Sequence, residues 1–205
     1  YPTVTTTYYV TATDGELCEK SDSVVITVNP RAIVASRNDP DQCFNSIATY
    51  TMGNYPGHTF DWSVSGGVIQ GVNTKDSVKI LWNRAGSDTV FISVTTPLGC
   101  VTSAKIIVNV NPKIIITKAA DTLVCKDSLV QLYASATGGT GTLSYSWFPI
   151  GGLSNPNSPN PTFRPGTPNT TYKFEITVTD SKGCKNIDTQ SIKIRDNPFI
   201  FVNVP

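Results

Sequence analysis

One interval, 82 residues, recurs along this chain and limits what it can fold into. It separates Cys18 from Cys100 and Cys43 from Cys125. The pairs Asn29-Pro30 and Asn111-Pro112 repeat it, as do the segments after them, Arg31-Ala32-Ile33-Val34 and Lys113-Ile114-Ile115-Ile116. A fixed period this long belongs to a string of similar units, each with its own small core. It divides the sequence into the C-terminal part of a truncated module (1–30), two whole modules (31–112 and 113–198) and the start of something not continued (199–205). The last whole unit is slightly longer, since Cys100 to Cys184 spans 84 residues. Arrays of this kind extend, display or grip, and seldom carry out chemistry.

Composition narrows the fold class. Thr, Val, Ile, Ser, Asn, Gly and Pro dominate, and stretches of Ala, Leu, Glu and Lys suited to helices are missing. Net charge is +1, with no basic patch for nucleic acid. No run of about 18 apolar residues could span a membrane.

Alternating apolar residues mark strands whose inner faces meet a core. The closing strand of each unit carries Val24, Ile26, Val28, then Ile106, Val108, Val110, then Ile192 and Ile194 with Gln190 at the first place. The strand before it reads Tyr8, Val10, Ala12, then Val90, Ile92, Val94, then Phe174, Ile176, Val178. Phe60, Trp62, Val64 and Leu143, Tyr145, Trp147 form another equivalent pair, and Val130, Leu132, Ala134, Ala136 a further strand. About seven short strands per unit, split by Gly, Pro and Asn turns, predict an all-β chain of tandem β-sandwich modules. Trp62 and Trp147 take the place of the core Trp of immunoglobulin-like sandwiches, and sugar stacking is the other use open to them. Short Asn-Pro junctions without a Gly/Ser linker predict a stiff, extended array. The Pro-rich tract 154–169 reads as a long loop of polyproline character inside the second whole module.

Modules of this size gain from covalent staples. Cysteine arithmetic within each unit pairs Cys43 with Cys100 and Cys125 with Cys184, leaving Cys18 with its partner missing. Disulfides place the chain in an oxidising compartment, outside the cytoplasm.

Candidate chemistry is sparse. The single His58 lies in a Tyr-Pro-Gly-His turn, and no CxxC, HExxH, Walker or dinucleotide pattern occurs. No catalytic residue is assigned, and no cofactor is required. Asp14-Gly15-Glu16 and the pair Asp39 and Asp41 offer hard oxygens that could hold Ca²⁺ between modules. Yet Thr96 stands where Asp14 and Asp180 stand in the other units, and a carboxylate closing a tight turn explains these aspartates equally. Asn169-Thr170-Thr171 matches an N-glycosylation sequon. Five triplets of Asp, a hydroxyl residue and an aliphatic residue centre on Ser23, Ser77, Thr89, Thr122 and Ser128. They read either as strand starts or as modification sites.

Longer stretches carry a resemblance. These are Cys125-Lys-Asp-Ser, Tyr145-Ser-Trp147, Gly152-Leu-Ser-Asn-Pro-Asn-Ser-Pro-Asn-Pro, Thr170-Thr-Tyr and Val178-Thr-Asp-Ser-Lys-Gly-Cys184, with Trp62-Ser-Val-Ser-Gly-Gly-Val-Ile, Trp82 and Gly99-Cys100 in the preceding unit. The chain resembles the PKD-like and immunoglobulin-like repeats of large surface proteins from gliding, type IX-secreting Bacteroidetes. The resemblance implies a secreted bacterial cell-surface protein. It also implies O-glycosylation at the five triplets and a lead-in to a type B sorting domain at 198–205, although that domain's Pro-Asn-Gly-Asp-Gly signature is absent. The expected function is a non-enzymatic structural or adhesive stalk, with neighbouring modules of the same protein as partners. Surface glycans and type IX outer-membrane components are further candidates. The alternatives are a carbohydrate-binding accessory module, using aromatics such as Tyr55, Phe148 or Phe163, and a passenger captured with the secretion machinery.

Overall fold

The strongest alternation in the sequence becomes three antiparallel hairpins in equivalent register. The structure, a computed structural model, describes residues 2–28 and 41–196. The Asn29-Pro30 junction, the expected strand at 32–35, Asp39 and the 198–205 lead-in lie outside the described residues. The first hairpin joins β1 (Thr6–Thr13) to β2 (Glu19–Ile26). The next unit holds β3 (Asp41–Cys43), β4 (Ser46–Thr51), β5 (Thr59–Val64), β6 (Val68–Gln70), β7 (Ser77–Trp82), β8 (Gly86–Thr95) and β9 (Val101–Asn111). The last holds β10 (Ile115–Lys118), β11 (Thr122–Cys125), β12 (Val130–Gln131), β13 (Ala134–Thr137), β14 (Ser144–Phe148), β15 (Thr162–Phe163), β16 (Thr171–Thr179) and β17 (Lys185–Arg195). No helix occurs among the described residues.

Tyr8 opposes Val24 in the first hairpin, Val90 opposes Ile106 in the second, and Phe174 opposes Gln190 in the third. Each of the two larger units builds a four-stranded sheet on its hairpin, in the orders β3-β9-β8-β5 and β11-β17-β16-β14. The first strand of each sheet runs parallel to the last, with Cys43 beside Asn111 and Cys125 beside Arg195. Opposite these sheets lie β4-β7-β6 in one unit and the pairs β10-β13 and β12-β15 in the other. Faces of period two meet in between, so the chain is a tandem of Ig-like β-sandwiches.

Two separate cores result. One gathers Trp62, Ile80, Trp82, Val90, Ile92 and Val108; the other gathers Leu132, Trp147, Phe174, Ile176, Ile192 and Ile194. Full burial of each such side chain is worth roughly 1.5–3 kcal/mol. Gln190 is buried as well, with its Oε1 facing the Tyr133 N–H at 3.5 Å. The first hairpin has no such cover: Val10 is 64% and Val24 59% exposed.

The tract 154–169 is a loop within the last unit, broken only by β15. Its prolines line a sheet edge and act as acceptors. Pro161 O takes the Leu132 N–H, Pro159 O the Ala134 N–H and Pro156 O the Trp147 N–H, each at 2.8–2.9 Å. Proline lacks a donor but keeps its carbonyl, so an edge that only needs to accept tolerates it.

Candidate functional site at the module junction

The three hairpin turns share one construction. Asp14, Thr96 and Asp180 each donate a backbone N–H to the carbonyl of the cysteine four residues on, Cys18, Cys100 and Cys184. The side chain of the same residue accepts the returning cysteine N–H, at 3.0 Å for Asp14, 3.0 Å for Thr96 and 2.9 Å for Asp180. The residue before each cysteine takes the left-handed conformation. It is glycine at Gly99 and Gly183 but Leu17 in the first hairpin, with φ of 69°. Asp14 and Asp180 therefore close turns through hydrogen bonds. Among the described residues no group of three or more His, Cys, Asp or Glu could hold a metal ion.

The turns lie at one end of their sheets, and Cys43 and Cys125 lie at the other. This overturns the expected pairings. Cys43 stands beside Asn111, the last residue of β9, whereas Cys100 precedes its first. Eleven strand residues at roughly 3.3 Å each put about 35 Å between those ends, and a disulfide needs Cα atoms within about 7 Å. Cys125 beside Arg195 and Cys184 before β17 are separated in the same way. Cys43 is instead bonded to Cys184, 141 residues on, with Cα atoms 5.4 Å apart. The staple crosses from one module to the next. Cys18 and Cys125 keep exposed thiols, and Cys100 is exposed in its turn.

Polar contacts surround the staple. Lys182 Nζ donates to Asp41 Oδ2 at 2.6 Å, and Asn109 Nδ2 to Asp41 Oδ1 at 3.2 Å. These bonds, the one from Lys182 foremost, hold the Asp41 carboxyl below its ordinary pKa. Asn111 Nδ2 donates to Cys184 Sγ at 3.6 Å, while its Oδ1 accepts from Thr140 Oγ1 at 3.0 Å. Asn111 is buried, so it bridges the modules under cover from water. Lys113 Nζ lies 5.9 Å from the centre of the Phe44 ring. A cleft of about 380 Å³ runs along the seam between Phe44 and Lys185. Lys113, Asn186 and the Cys43–Cys184 pair also line it.

The other expected site residues are dispersed. Trp62 and Trp147 are core anchors, at most 1% exposed. Their indole N–H groups donate to Lys75 O at 2.9 Å and to Ser158 O at 3.0 Å. His58 packs against Tyr55, ring centres 5.4 Å apart. Phe163 belongs to the core while Phe148 is 69% exposed, so the three aromatics considered for sugar stacking form no shared platform. Of the five triplets, Ser77 and Thr89 precede the buried Val78 and Val90, as strand starts would; Ser23, Thr122 and Ser128 precede the exposed Val24, Leu123 and Leu129. All five hydroxyl residues are at least partly accessible, and Asn169 is exposed.

Four residues stood in the sequence motifs without a role of their own. Trp82 is fully buried but has no equivalent in the other units. Asp88 is buried inside β8, 3.2 Å from Arg84. Asn111 and Lys182 build the junction, and the recurrence of Asn-Pro beside the cysteine period was the available signal for Asn111. No helix of the described residues is long and apolar enough to cross a membrane.

No family model matches the chain, and no curated protein matches it in sequence. Among solved structures it is similar to the tandem Ig repeats of Dlar, at 12% identity over 77% of this chain and 93% of that one, with a TM-score of 0.34. Extracellular domains 3–5 of Drosophila OTK are similar at 13% identity over 91% and 69%, TM-score 0.39. Fibronectin(III)-like modules of Clostridium thermocellum CbhA are similar at 10% identity over 80% and 94%, TM-score 0.34.

Proposed function

We propose that this chain is a non-enzymatic structural and adhesive segment of a secreted cell-surface protein, acting as a stiff stalk of β-sandwich modules. The Cys43–Cys184 staple carries this reading. A covalent link between two units with separate cores does nothing for either fold alone; it removes the freedom of one unit to swing on the other. Ion pair, buried Asn111 and staple act at the same seam, as a joint under tension requires. A disulfide also favours an oxidising location. The resemblance to type IX-secreted surface repeats supports the bacterial cell surface as that location, and sugars on Ser23, Ser77, Thr89, Thr122 and Ser128 belong to the same reading.

Small-angle X-ray scattering of the chain in oxidising and reducing buffer tests the stalk. A single inter-module distance is expected in the oxidised chain, broadening on reduction. A freely hinged ensemble in the oxidised chain sinks the reading. Intact mass of the protein from its native host tests the sugars: bare hydroxyls at all five positions overturn that part.

A further inference from the structure

The cleft at the staple is walled by both modules. Phe44 and Asn45 come from one, and Lys113, Ile114, Lys185 and Asn186 from the next. These walls are fixed. Asn45 donates its backbone N–H to Trp82 O at 2.6 Å, and Asn186 Nδ2 donates to Ile114 O at 2.8 Å. Ile114 is buried, and the Cys43–Cys184 bond ties the two sides together. At about 380 Å³ the space falls within the range of small-molecule sites and exceeds what a bare inorganic anion fills.

Two lysines line this cleft and no carboxylate does. Lys113 Nζ is held near the half-buried Phe44 ring, 5.9 Å from its centre. Neither Lys113 nor Lys185 has an ion-pair partner among the described residues. The acids of the seam are committed elsewhere. Asp41 accepts from Lys182 and Asn109, and Asp180 accepts the backbone N–H groups of Thr140, Lys182 and Cys184. Setting both acids against Lys113, Lys182 and Lys185 leaves one positive charge, and the two lysines without a partner are those on the cleft. Lys185 is particular to this seam: it opens β17, where Val101 opens β9 and Glu19 opens β2.

We infer that this cleft binds an acidic sugar, one uronate unit of a polysaccharide, with its carboxylate between Lys113 and Lys185. Each ammonium group brings three donors and a compact charge to a carboxylate. No arginine fork lines the cleft to grip a phosphate in two places. The exposed Asn45 amide offers a donor and an acceptor to ring hydroxyls, while Phe44 and Ile114 offer apolar contact to the C–H face of the ring. A sugar seated there touches both modules and adds to the restraint that the staple imposes. The preference for a carboxylate rests on the cleft alone; the choice of a sugar to carry it rests on the cell-surface reading above.

The full chain, labelled with nitrogen-15 and with its disulfide intact, is titrated at low salt with trigalacturonic acid, with neutral galactotriose and with inorganic phosphate. Saturable amide shifts at Phe44, Asn45, Lys113 and Lys185 are expected with trigalacturonic acid. Lys113→Gln and Lys185→Gln should each weaken binding about three- to fivefold, and the double variant roughly tenfold or more. Lys173→Gln, an exposed lysine of β16, should leave it unchanged. Unchanged amide positions outside the cleft show that each variant is folded. Equal binding of galactotriose removes the role of the carboxylate, and equal binding of phosphate removes that of the sugar; either overturns the proposal. So do shifts confined to other surfaces, no shift at all, or a double variant that binds as the unaltered chain does. Binding that fails while scattering still gives one inter-module distance counts against the cleft and not the stalk; binding to a freely hinged chain counts the other way.

Discussion

Cys43 and Cys184 join two β-sandwiches that share no core residue. Closing a loop of 141 residues restrains the unfolded chain by about 5 kcal/mol in the chain-entropy model, an upper value where two cores unfold separately. Cys43→Ser with Cys184→Ser should leave both modules folded while uncoupling them. Calorimetry should then resolve two transitions where the oxidised chain shows one coupled event. Non-reducing peptide mapping of the unaltered chain should yield the Cys43–Cys184 pair, and a Cys43–Cys100 peptide would contradict the placement of these residues at opposite ends of β9.

Asp41 gives the junction a pH dependence with a definite sign. Its carboxyl is held below the ordinary value by Lys182 first and Asn109 second. A depressed carboxylate contributes stability that is present above the unfolded pKa, near 3.8, and is lost as pH falls through the folded one. The Asp41–Lys182 contact should therefore hold at neutral pH and dissolve only at pH values below the unfolded 3.8. Carbon-detected NMR titration of Asp41 reads this directly. Lys182→Ala should move the midpoint upward toward the free-carboxylate value; an unmoved midpoint would assign the shift to another group.

Much of this architecture was legible because two periodicities are physical. Alternation along Val90, Ile92, Val94 and along Phe174, Ile176, Val178 states which face is buried, and all six are. Trp62 and Trp147 fall on equivalent strands, β5 and β14, although they are 85 residues apart and not 82. The cysteine pairing was not legible, because a period says which residues are equivalent and not at which end of a sheet each one sits. That depends on β3 and β11 running parallel to β9 and β17, a long-range pairing without a local signal. The prolines at 156, 159 and 161 marked the loop correctly, but not the bonds that their carbonyls accept. Their missing donors argue against a central strand but allow an accepting edge. Asp88 shows the limit of the triplet pattern, since its carboxylate turns inward against Gly66, where any Cβ would collide with it.

Tyr50 carries a hydroxyl into a core that does not hydrogen-bond it. The residue is 5% exposed, its ring meets Trp82 edge-on at 6.3 Å, and its Oη has no partner among the described residues. Burying such a group costs about 1–3 kcal/mol, and removing it with the same ring shape is close to neutral or favourable. Tyr50→Phe should thus leave stability unchanged or raise it by up to about 1 kcal/mol in urea denaturation. Burial also pushes the Tyr50 phenol upward, and the facing Trp82 indole N–H, which lies outside hydrogen-bond geometry, offsets only part of that rise. A raised pKa gives stability that is fully present below the unfolded value, near 10, and lost as pH rises through the folded one. Tyr50→Phe should remove that alkaline loss, and a variant that weakens the module at pH 7 would mean that the hydroxyl is bonded after all.

Gly138 ties the second core to the junction through bare backbone. Its φ is +77°, and a Cβ there would run into the carbonyl oxygen of Lys113, where backbone must give way. Two residues on, Thr140 Oγ1 donates to Asn111 Oδ1, so a shift at Gly138 is carried to the seam. Gly71 is the matched control: its φ is +90°, and a Cβ added there would meet nothing within 4 Å. Gly71→Ala should lose only the cost of the left-handed conformation, roughly 1–2 kcal/mol. Gly138→Ala should lose that amount plus the collision, about 3 kcal/mol or more in total. It should also raise amide exchange at Asn111 and Thr140, which Gly71→Ala leaves alone. Equal losses in the two variants would mean that the Lys113 carbonyl moves aside at little cost, and that the junction is softer than its contacts imply.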